Sequence, residues 1–475
     1  MGKGTSLFIL KVLFSGFCFF LLGDTVYAQR PPVPTINMSY FRVDFLQPGA
    51  RPAGLGGAFI GAAQDETAAP VNPAGLTYLN SVGASLHQRP ARREYKEPQG
   101  SPQNPNRRKK FHANNFDQAA VSVFLPLEIF KPLQDSFLDN ITLALFRQVV
   151  FDSRFTFETQ QFLTTTDPLS ARQVLGGLGN FPGRRVNLDL EMVSDGLSIA
   201  FPLTRRISIG LTAKTSVLNF KLNERTFLDP EATEGSVQSG NIAETTYSIT
   251  TVDERNTELA YSAGLMAQLI RDRLFVGAVY HFNPTFTLKS DIFLPEYTVG
   301  DQTFPAESQS NIKFDLTVPD VYGFGIYYIA SPRIRFTADV VRVEYTDFLS
   351  GNDLNWPADD VFSSRTQSFQ DTGASPDLTI DDATELHFGV EIVSNVPKLG
   401  LIPLRFGLST IPGHRIYSAD PNPDMRRLFP KSDDLVNFSF GLGFVLTRNI
   451  KFDGSIVLSD DGFEVFGSIL LTVPL

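Results

Sequence analysis

Apolar and polar side chains alternate along most of the chain, from about residue 81 to the C-terminus. In the stretch 207–213 the apolar side chains stand at odd positions, and similar alternation recurs at 187–192, 313–317 and 385–392. A period of two residues is typical of a β-strand with one face in apolar and the other in polar surroundings. The pattern therefore predicts an all-β fold.

The connections between the predicted strands differentiate a membrane barrel from a soluble sandwich. The links 204–206, 271–273, 330–332 and 448–449 are tight and fall on one side, while the links on the other side are long except at 459–462. Such alternation is typical of outer-membrane barrels. It predicts a transmembrane antiparallel β-barrel of about 14 strands, with polar faces toward the lumen and apolar faces toward lipid. The predicted strands are 82–90, 117–127, 140–160, 185–203, 207–225, 243–270, 274–291, 309–329, 333–347, 383–395, 401–411, 435–447, 450–458 and 463–473.

The predicted strand 333–347 changes phase. Its apolar side chains stand at even positions up to Val340 and at odd positions from Val341 to Tyr345. A phase slip of one residue indicates a β-bulge. The alternative is a strand end that leaves the membrane.

The first 28 residues have the layout of an export signal. Lys3 and Lys11 precede an apolar run, and Ala28 ends a cleavage-type tripeptide; the alternative is a short membrane anchor. No apolar run of about 18 residues follows, which excludes ordinary helical membrane proteins. The one cysteine, Cys18, lies in the signal, so we expect a mature chain without disulfides or thiol chemistry.

Composition and motifs argue against other functions. The formal net charge of −10 does not suit a nucleic-acid binder. The five histidines are scattered, and neither Gly-x-Ser-x-Gly nor His-Glu-x-x-His occurs. A calcium-like segment near residue 420 has Met425 where the loop needs glycine. We therefore expect no enzyme activity, no cofactor and no metal.

The segment before the first predicted strand differs from the rest of the chain. Residues 47–76 are rich in Gly, Ala and Pro, with few charges. Small residues allow close backbone approach, and the four prolines Pro48, Pro52, Pro70 and Pro73 limit regular hydrogen bonding. A loose linker would be more polar. We predict that residues 29–80 form a hatch, or plug, inside the lumen of a barrel formed by residues 81–475.

This segment resembles the N-terminal hatch of the FadL/TodX family of outer-membrane transporters for long-chain fatty acids and aromatic hydrocarbons. The resemblance rests on the run 54–58, on Asp65 and on the run 72–76, and it extends to 319–325, 336–340, 385–391 and 403–407. It covers most of the mature chain but is thin outside these segments. It implies a plugged barrel of 14 strands. An apolar ligand would be caught by extracellular loops, bind above the hatch and leave sideways through the wall after the hatch shifts. The hatch and gating candidates are Gly54, Gly56, Gly57, Asn72, Pro73, Ala74 and Gly75.

Two other functions stay open. Residues 41–51 look more like PorV-type barrels, which escort proteins during secretion. A general diffusion porin is the third hypothesis, although a hatch disfavours an open pore. All three place the protein in the bacterial outer membrane.

Two further segments suggest partners besides a hydrophobic small molecule. A basic patch in the first long loop could contact lipopolysaccharide or another anion; the alternative is a solvated loop. The terminal segment 463–475 ends the chain within an apolar strand and resembles the signal read by the barrel-assembly machinery, with Leu475 in place of the usual Phe. The anion-contact candidates are Arg92, Arg93, Arg107, Arg108, Lys109 and Lys110.

Overall fold

The structure of the chain is a computed structural model. The predicted signal, residues 1–28, lies outside the described residues. None of the helices in the described part has the length and hydropathy needed to cross a bilayer. The structure describes residues 43–46, 48–96, 108–111, 117–127, 141–159, 162–163, 180–181, 183–227, 245–299, 302–349, 378–397, 400–419, 426, 430–447, 449–460 and 462–474.

Short helices and many strands make up the described residues. The α-helices are α1 (Ala50–Gly54) and α2 (Ala68–Val71), and the 3-10 helices are η1 (Pro73–Tyr78) and η2 (Tyr345–Leu349). The strand segments are β1 (Ser81–Arg89), β2 (Ala91–Lys96), β3 (Arg108–Phe111), β4 (Asp117–Leu127), β5 (Ile141–Thr159), β6 (Phe162–Leu163), β7 (Asn180–Phe181), β8 (Gly183–Pro202), β9 (Ile207–Phe227), β10 (Thr246–Ile270), β11 (Leu274–Phe282), β12 (Thr285–Leu294), β13 (Tyr297–Val299), β14 (Gln302–Phe304), β15 (Glu307–Thr317), β16 (Val321–Ile329), β17 (Ile334–Val343), β18 (Leu378–Thr379), β19 (Ala383–Val396), β20 (Gly400–Ile411), β21 (Tyr417–Ser418), β22 (Leu435–Thr447), β23 (Ile450–Ser459) and β24 (Gly462–Pro474).

One antiparallel sheet of 18 segments forms a closed wall. Four pairs of segments (β1 with β2, β3 with β4, β11 with β12, β15 with β16) are successive parts of one barrel strand, so the described wall has 14 barrel strands. The last strand, β24, pairs with β1 from Ser81↔Pro474 to Gln88↔Gly467, which closes the ring. Closure leaves no open sheet edge in lipid. The predicted all-β barrel of about 14 strands is confirmed.

Tight turns join neighbouring strands at one end of the barrel. In the turn before β9, the hydroxyl of Thr204 accepts a hydrogen bond from the Ile207 backbone N–H at 3.0 Å. In the turn before β17, the hydroxyl of Ser331 accepts one from the Ile334 N–H at 3.1 Å. Asp272 has a φ of 54° in the turn after β10. These short turns mark the periplasmic end, because outer-membrane barrels carry their long loops outside.

Near this end, apolar side chains face outward as predicted. Leu211 of β9 and Phe388 of β19 are each 50% exposed on the outer face. Their inward neighbours are small or polar, as with Ser208 and Thr212. These strands therefore present a lipid-facing belt.

Farther from the periplasmic end, apolar side chains point into the barrel and polar side chains point outward. Leu188, Leu190 and Met192 of β8 are buried inside the barrel, and Asn187 is exposed outside. The expectation that these apolar side chains meet lipid is wrong. The strand is 20 residues long, about twice what the hydrocarbon layer requires, so its upper part lies in water outside and packs apolar side chains inside.

The phase change in β17 has the same cause. Its register with β19 runs without a shift from Ile334↔Ile392 to Val343↔Ala383, so the predicted bulge is absent from this ladder. Val340 is exposed on the lipid side, while Val343 and, just beyond the strand, Tyr345 are buried inside. The strand end leaves the membrane, as the alternative proposed.

Apolar side chains from many strands pack together inside the upper barrel. We call this group the upper cluster. Hatch residue Val43 belongs to it, and Phe45 packs against it. The cluster therefore joins the start of the hatch to the upper wall. Its barrel members include Phe151, Leu188, Leu190, Met192, Leu218, Phe220, Phe286, Leu288 and Leu316.

The wall's ladder is interrupted between β10 and the strand formed by β11 and β12. Pairing with β11 ends at Tyr261↔Phe282, and pairing with β12 comprises Thr251↔Asp291 and the two pairs beyond it. Between them, the Asn256 side chain donates a hydrogen bond to a β12 carbonyl, that of Thr287, at 2.9 Å. We call the stretch 252–260 of β10 the wall gap.

The outer face of β9 meets lipid near the periplasmic end and water farther up. A charge should therefore be costly at one outward position of this strand and tolerated at another. Leu211→Arg places a charge in lipid and should cost about 2–4 kcal/mol near the midplane. Asn223→Arg lies in the upper, water-facing part and should cost less than about 1 kcal/mol. Denaturant unfolding in lipid bilayers measures both; equal costs would contradict the assignment of the belt.

Candidate functional site

The described part of the hatch fills the lumen on the periplasmic side. Its two α-helices have five and four residues, and most of its described residues are buried. Gly56 and Gly57 have φ values of 68° and 84°, which only glycine adopts without strain. A Cβ on Gly75 would lie 1.6 Å from the Ala63 carbonyl oxygen. The predicted plug inside the lumen is confirmed.

Glycines of the wall face the hatch, where the two backbones touch. A Cβ built on Gly407 of β20 would lie 2.1 Å from the Gly56 nitrogen, and one built on Gly210 of β9 would lie 2.3 Å from the Ala74 nitrogen. Side chains at these positions would displace the hatch. Seven wall glycines at which a Cβ would lie within 4 Å of the hatch backbone form what we call the glycine collar: Gly210, Gly264, Gly277, Gly325, Gly389, Gly407 and Gly441.

Asn72 ties the hatch motif to the collar. Its amide nitrogen donates to the carbonyls of Ile60 (3.0 Å) and of wall residue Leu265 (3.2 Å). Its oxygen accepts from the Ala74 N–H at 3.3 Å and so caps η1, in which Pro73 occupies the first position. One buried amide thereby holds two hatch segments and one wall strand together.

Polar wall residues bind the backbone in the middle of the hatch. The carboxylate of Asp339 accepts from the N–H groups of Phe59 and Ile60 at 2.5 and 2.7 Å. Thr337 donates to the Ala58 carbonyl at 3.0 Å, and His387 contacts the Gly56 carbonyl at 2.7 Å. The hatch thus obtains from the wall the hydrogen bonds that its short helices cannot supply.

A buried charge network fixes the hatch beside α1. Hatch residue Arg51 pairs with Asp65 of the hatch at 2.8 Å and lies 3.5 Å from Glu391 of the wall. Glu391 also pairs with Arg335 and Arg405 at 2.6 and 2.8 Å. Breaking one member of such a buried network costs about 3–5 kcal/mol, so the network stabilises one hatch position.

The network continues below Arg405. Its guanidinium donates to Asp453 at 2.6 Å, and Lys451 pairs with the same carboxylate at 3.0 Å. In the hatch, burial and the neighbouring carboxylate of Asp65 raise the pKa of Glu66 to about 7. The surroundings therefore favour the protonated form of this hatch carboxyl group.

A cavity of about 110 Å³ lies above α1, between the hatch and the upper wall. Apolar side chains of Phe45, Leu46 and Phe466 line it together with the polar groups of His387 and His414. His414 pairs with Asp44 of the hatch at 2.9 Å and stacks on the ring of Tyr345 at 4.4 Å. The start of the hatch therefore forms part of the cavity's lining.

The sequence-predicted residues fall into four groups. Asn72, Pro73, Ala74 and Gly75 come together at the collar strands β9 and β10, and Gly54 and Gly56 lie against β20 and β22. Gly57 shapes the bend after α1. For the basic patch, Arg92, Arg93, Arg108, Lys109 and Lys110 have described backbone only, and Arg107 lies outside the described residues.

Sequence reasoning missed the collar and the charge network. A lone glycine inside a strand indicates a close backbone approach, and strands β9, β10, β11 and β19 each carry one, at Gly210, Gly264, Gly277 and Gly389. The collar could therefore have been predicted from the glycines in the sequence. The pairing of Arg51 with Glu391 could not, because 340 positions separate them in the sequence.

These features define a class: a membrane-spanning β-barrel whose lumen is closed by an internal hatch. The family model of the outer membrane protein transport proteins (OMPP1/FadL/TodX) matches residues 49–375. The chain belongs to this family, whose members transport hydrophobic compounds across the bacterial outer membrane.

Solved structures share the fold of this chain. The chain is similar to a Pseudomonas aeruginosa FadL homologue (15% identity, TM-score 0.56, covering 90% of this chain and 99% of that one). It is also similar to the P. putida toluene transporter TodX (12%, 0.53, 91% and 100%) and to the CymD monoaromatic hydrocarbon channel (14%, 0.52, 91% and 99%). No curated protein matches the sequence.

Because the collar glycines contact the hatch backbone, a single methyl group added to one of them should displace the hatch. Gly407→Ala should destabilise the seated hatch by about 1–3 kcal/mol through overpacking and speed its cleavage by added protease. Gly467→Ala is the matched control, because a Cβ there meets no atom within 4 Å. Equal protease resistance of both variants would show that the hatch does not depend on the collar.

Proposed function

We propose that the protein admits long-chain fatty acids or aromatic hydrocarbons through the outer membrane and catalyses no reaction. The observation that carries this proposal is the way the surroundings change along the lumen, from an apolar upper part to a lower part that the hatch closes. An apolar upper cluster and a small cavity lie above a hatch that closes the membrane-level part of the barrel. A hydrophobic molecule is stabilised when it leaves water for the apolar upper lumen. Below this region the hatch closes its path.

The hatch residues Asn72, Pro73 and Ala74 are proposed to gate this path. Asn72 holds hatch and wall by a few hydrogen bonds, and the helices beside it are short. A ligand that binds one hatch position better than another shifts the hatch by that difference in affinity. Gly54, Gly56, Gly57 and Gly75 give the room and the backbone geometry for the closed position.

We place a lateral exit at the wall gap. Its lower edge is the aromatic pair Tyr261 and Phe282, both exposed on the outer face, a position typical of the membrane interface. A ladder interrupted over 252–260 opens at a lower energetic cost than a continuous one. A molecule that leaves here enters the outer interface of the bilayer without crossing the polar lumen.

The remaining partners also stay proposals. The basic patch is proposed to contact lipopolysaccharide phosphates, and β24, which closes the wall, is proposed to be read by the barrel-assembly machinery. An escort of secreted proteins is the alternative function, suggested by residues 41–51 alone. A general porin is disfavoured by the buried hatch.

Three measurements on the purified full-length protein separate these functions. In proteoliposomes we expect uptake of a fluorescent long-chain fatty acid or of radiolabelled toluene above that of empty liposomes, with no steady ion conductance in planar bilayers. Large steady conductance would instead establish a porin. A tightly bound secreted protein, with no uptake of either compound, would establish the escort function and end the transport proposal.

A cross-link across the wall gap tests the lateral exit. Cysteines at Asn256 and Thr287, joined by a short bis-maleimide, should lower uptake at least severalfold, because the two strands can no longer part. The matched control joins Ala267 and Val276, partners in the continuous ladder, and should leave uptake unchanged. Unaltered uptake after complete cross-linking of the first pair would exclude this exit.

A further inference from the structure

The lipid-facing surface of the barrel contains a groove. This depression of about 490 Å³ crosses strands β16, β17, β19 and β20, and its volume lies within the range of about 300–1,000 Å³ that is typical of ligand sites. We call it the outer groove. Large apolar side chains that are exposed on the outer face form its walls: Ile326, Tyr328, Phe336, Phe388, Phe406 and Leu408.

One small residue, Ala338 of β17, leaves the outer groove open. In the ladder it lies between Ile326 of β16 and Phe388 of β19, and Phe336 and Val340 precede and follow it on the same face of β17. All four neighbours are large and exposed on the outer face. An unfilled space of this kind forfeits dispersion contacts, and in the belt an acyl chain of the bilayer is the group at hand to fill it.

The depth of the outer groove assigns it to one leaflet. Ala338 follows Arg333, the last residue of the periplasmic turn before β17, by five positions. At a rise of about 3.3 Å per residue and a strand tilt of about 40°, this places Ala338 about 13 Å above the turn. The hydrocarbon layer is about 30 Å thick. The chains that reach the groove therefore belong to phospholipids of the periplasmic leaflet.

Two arginines lie at the periplasmic end of the outer groove. The backbone carbonyl of Arg333 accepts a hydrogen bond from β19 and that of Arg273 accepts one from β16, each at 2.8 Å, so both residues lie directly below strands of the groove. Both are exposed, and within the described residues neither guanidinium group has a hydrogen bond or an ion pair. The nearby carboxylate of Asp272 pairs with Arg271 instead, at 3.5 Å. The end of the groove therefore carries positive charge at the level of the lipid phosphates.

We propose that the outer groove binds one phospholipid of the periplasmic leaflet. An acyl chain lies over Ala338 between the aromatic side chains, and the phosphate accepts charge-assisted hydrogen bonds from Arg333, to whose positive charge Arg273 adds. The apolar space and the cations are thus matched to the two ends of one molecule. This lipid stays on the outside of the wall and is not the cargo of the lumen, so the site is independent of the proposed transport.

Native mass spectrometry of the detergent-solubilised full-length protein tests the proposal with two probes. Phosphatidylglycerol and diacylglycerol with the same palmitoyl and oleoyl chains differ in the phosphate-bearing head group, and wild type should retain one phosphatidylglycerol at concentrations that leave diacylglycerol unbound. Ala338→Phe should weaken binding of phosphatidylglycerol about tenfold or more, because the ring fills the groove. Arg333→Gln should weaken it about fivefold through the loss of one charge at the membrane surface.

Ala263→Phe and Arg205→Gln are the matched controls. Ala263 is exposed on the outer face of β10 between Leu211 and Tyr280, away from the residues that line the groove. Arg205 is exposed in the periplasmic turn before β9. Neither control should change binding of phosphatidylglycerol by more than about twofold.

Three results would overturn the proposal. They are unchanged binding of phosphatidylglycerol by Ala338→Phe, equal weakening by the two phenylalanine variants, and equal binding of both probes by wild type. The last comparison needs no variant, so it decides even if Ala338→Phe fails to fold. A dimer of wild type that Ala338→Phe dissociates would assign the groove to a second copy of the chain and likewise end the proposal.

Discussion

Backbone-to-backbone contact between hatch and wall is the constraint on which the rest of the structure depends. The hatch must close the lumen, and side chains on both surfaces would hold the two backbones apart and leave voids that water could fill. Glycine removes the side chain from the wall, as at Gly210 and Gly407, and from the hatch, as at Gly56. This contact explains why hatch and wall are both rich in small residues at the same level.

Close contact also determines how polar groups are satisfied. With α-helices of only five and four residues, most hatch N–H and C=O groups lack a helical partner. Wall side chains such as Thr337 and Asp339 bind them instead, and Asn72 returns a hydrogen bond to the wall. The closed position is therefore specified by individual directional bonds. A hatch that shifts would have to replace these hydrogen bonds. It should therefore move between distinct positions rather than gradually.

The sequence predicted the number of barrel strands, the lipid-facing side chains at 207–211 and 386–392 and the hatch, since each depends on local pattern or composition. It misassigned Leu188 and Met192, because a period of two residues separates two faces without telling which face meets lipid. The distance of a position from the periplasmic turn decides that. Contacts such as Arg51 with Glu391 depend on the register of the whole barrel, which no local pattern contains.

The exchange of faces along β8 and β9 has a consequence for how a ligand moves. Above the belt the lumen is apolar, and at the level of the collar it is lined by Ser208, Thr212 and the polar network around Glu391. A hydrophobic chain gains nothing by moving straight down, because each step would exchange apolar for polar contact. The lipid outside the wall, by contrast, is as apolar as the upper cluster. On the proposed sideways route the chain would therefore stay in low-dielectric surroundings, and the hatch would keep ions and water from following it.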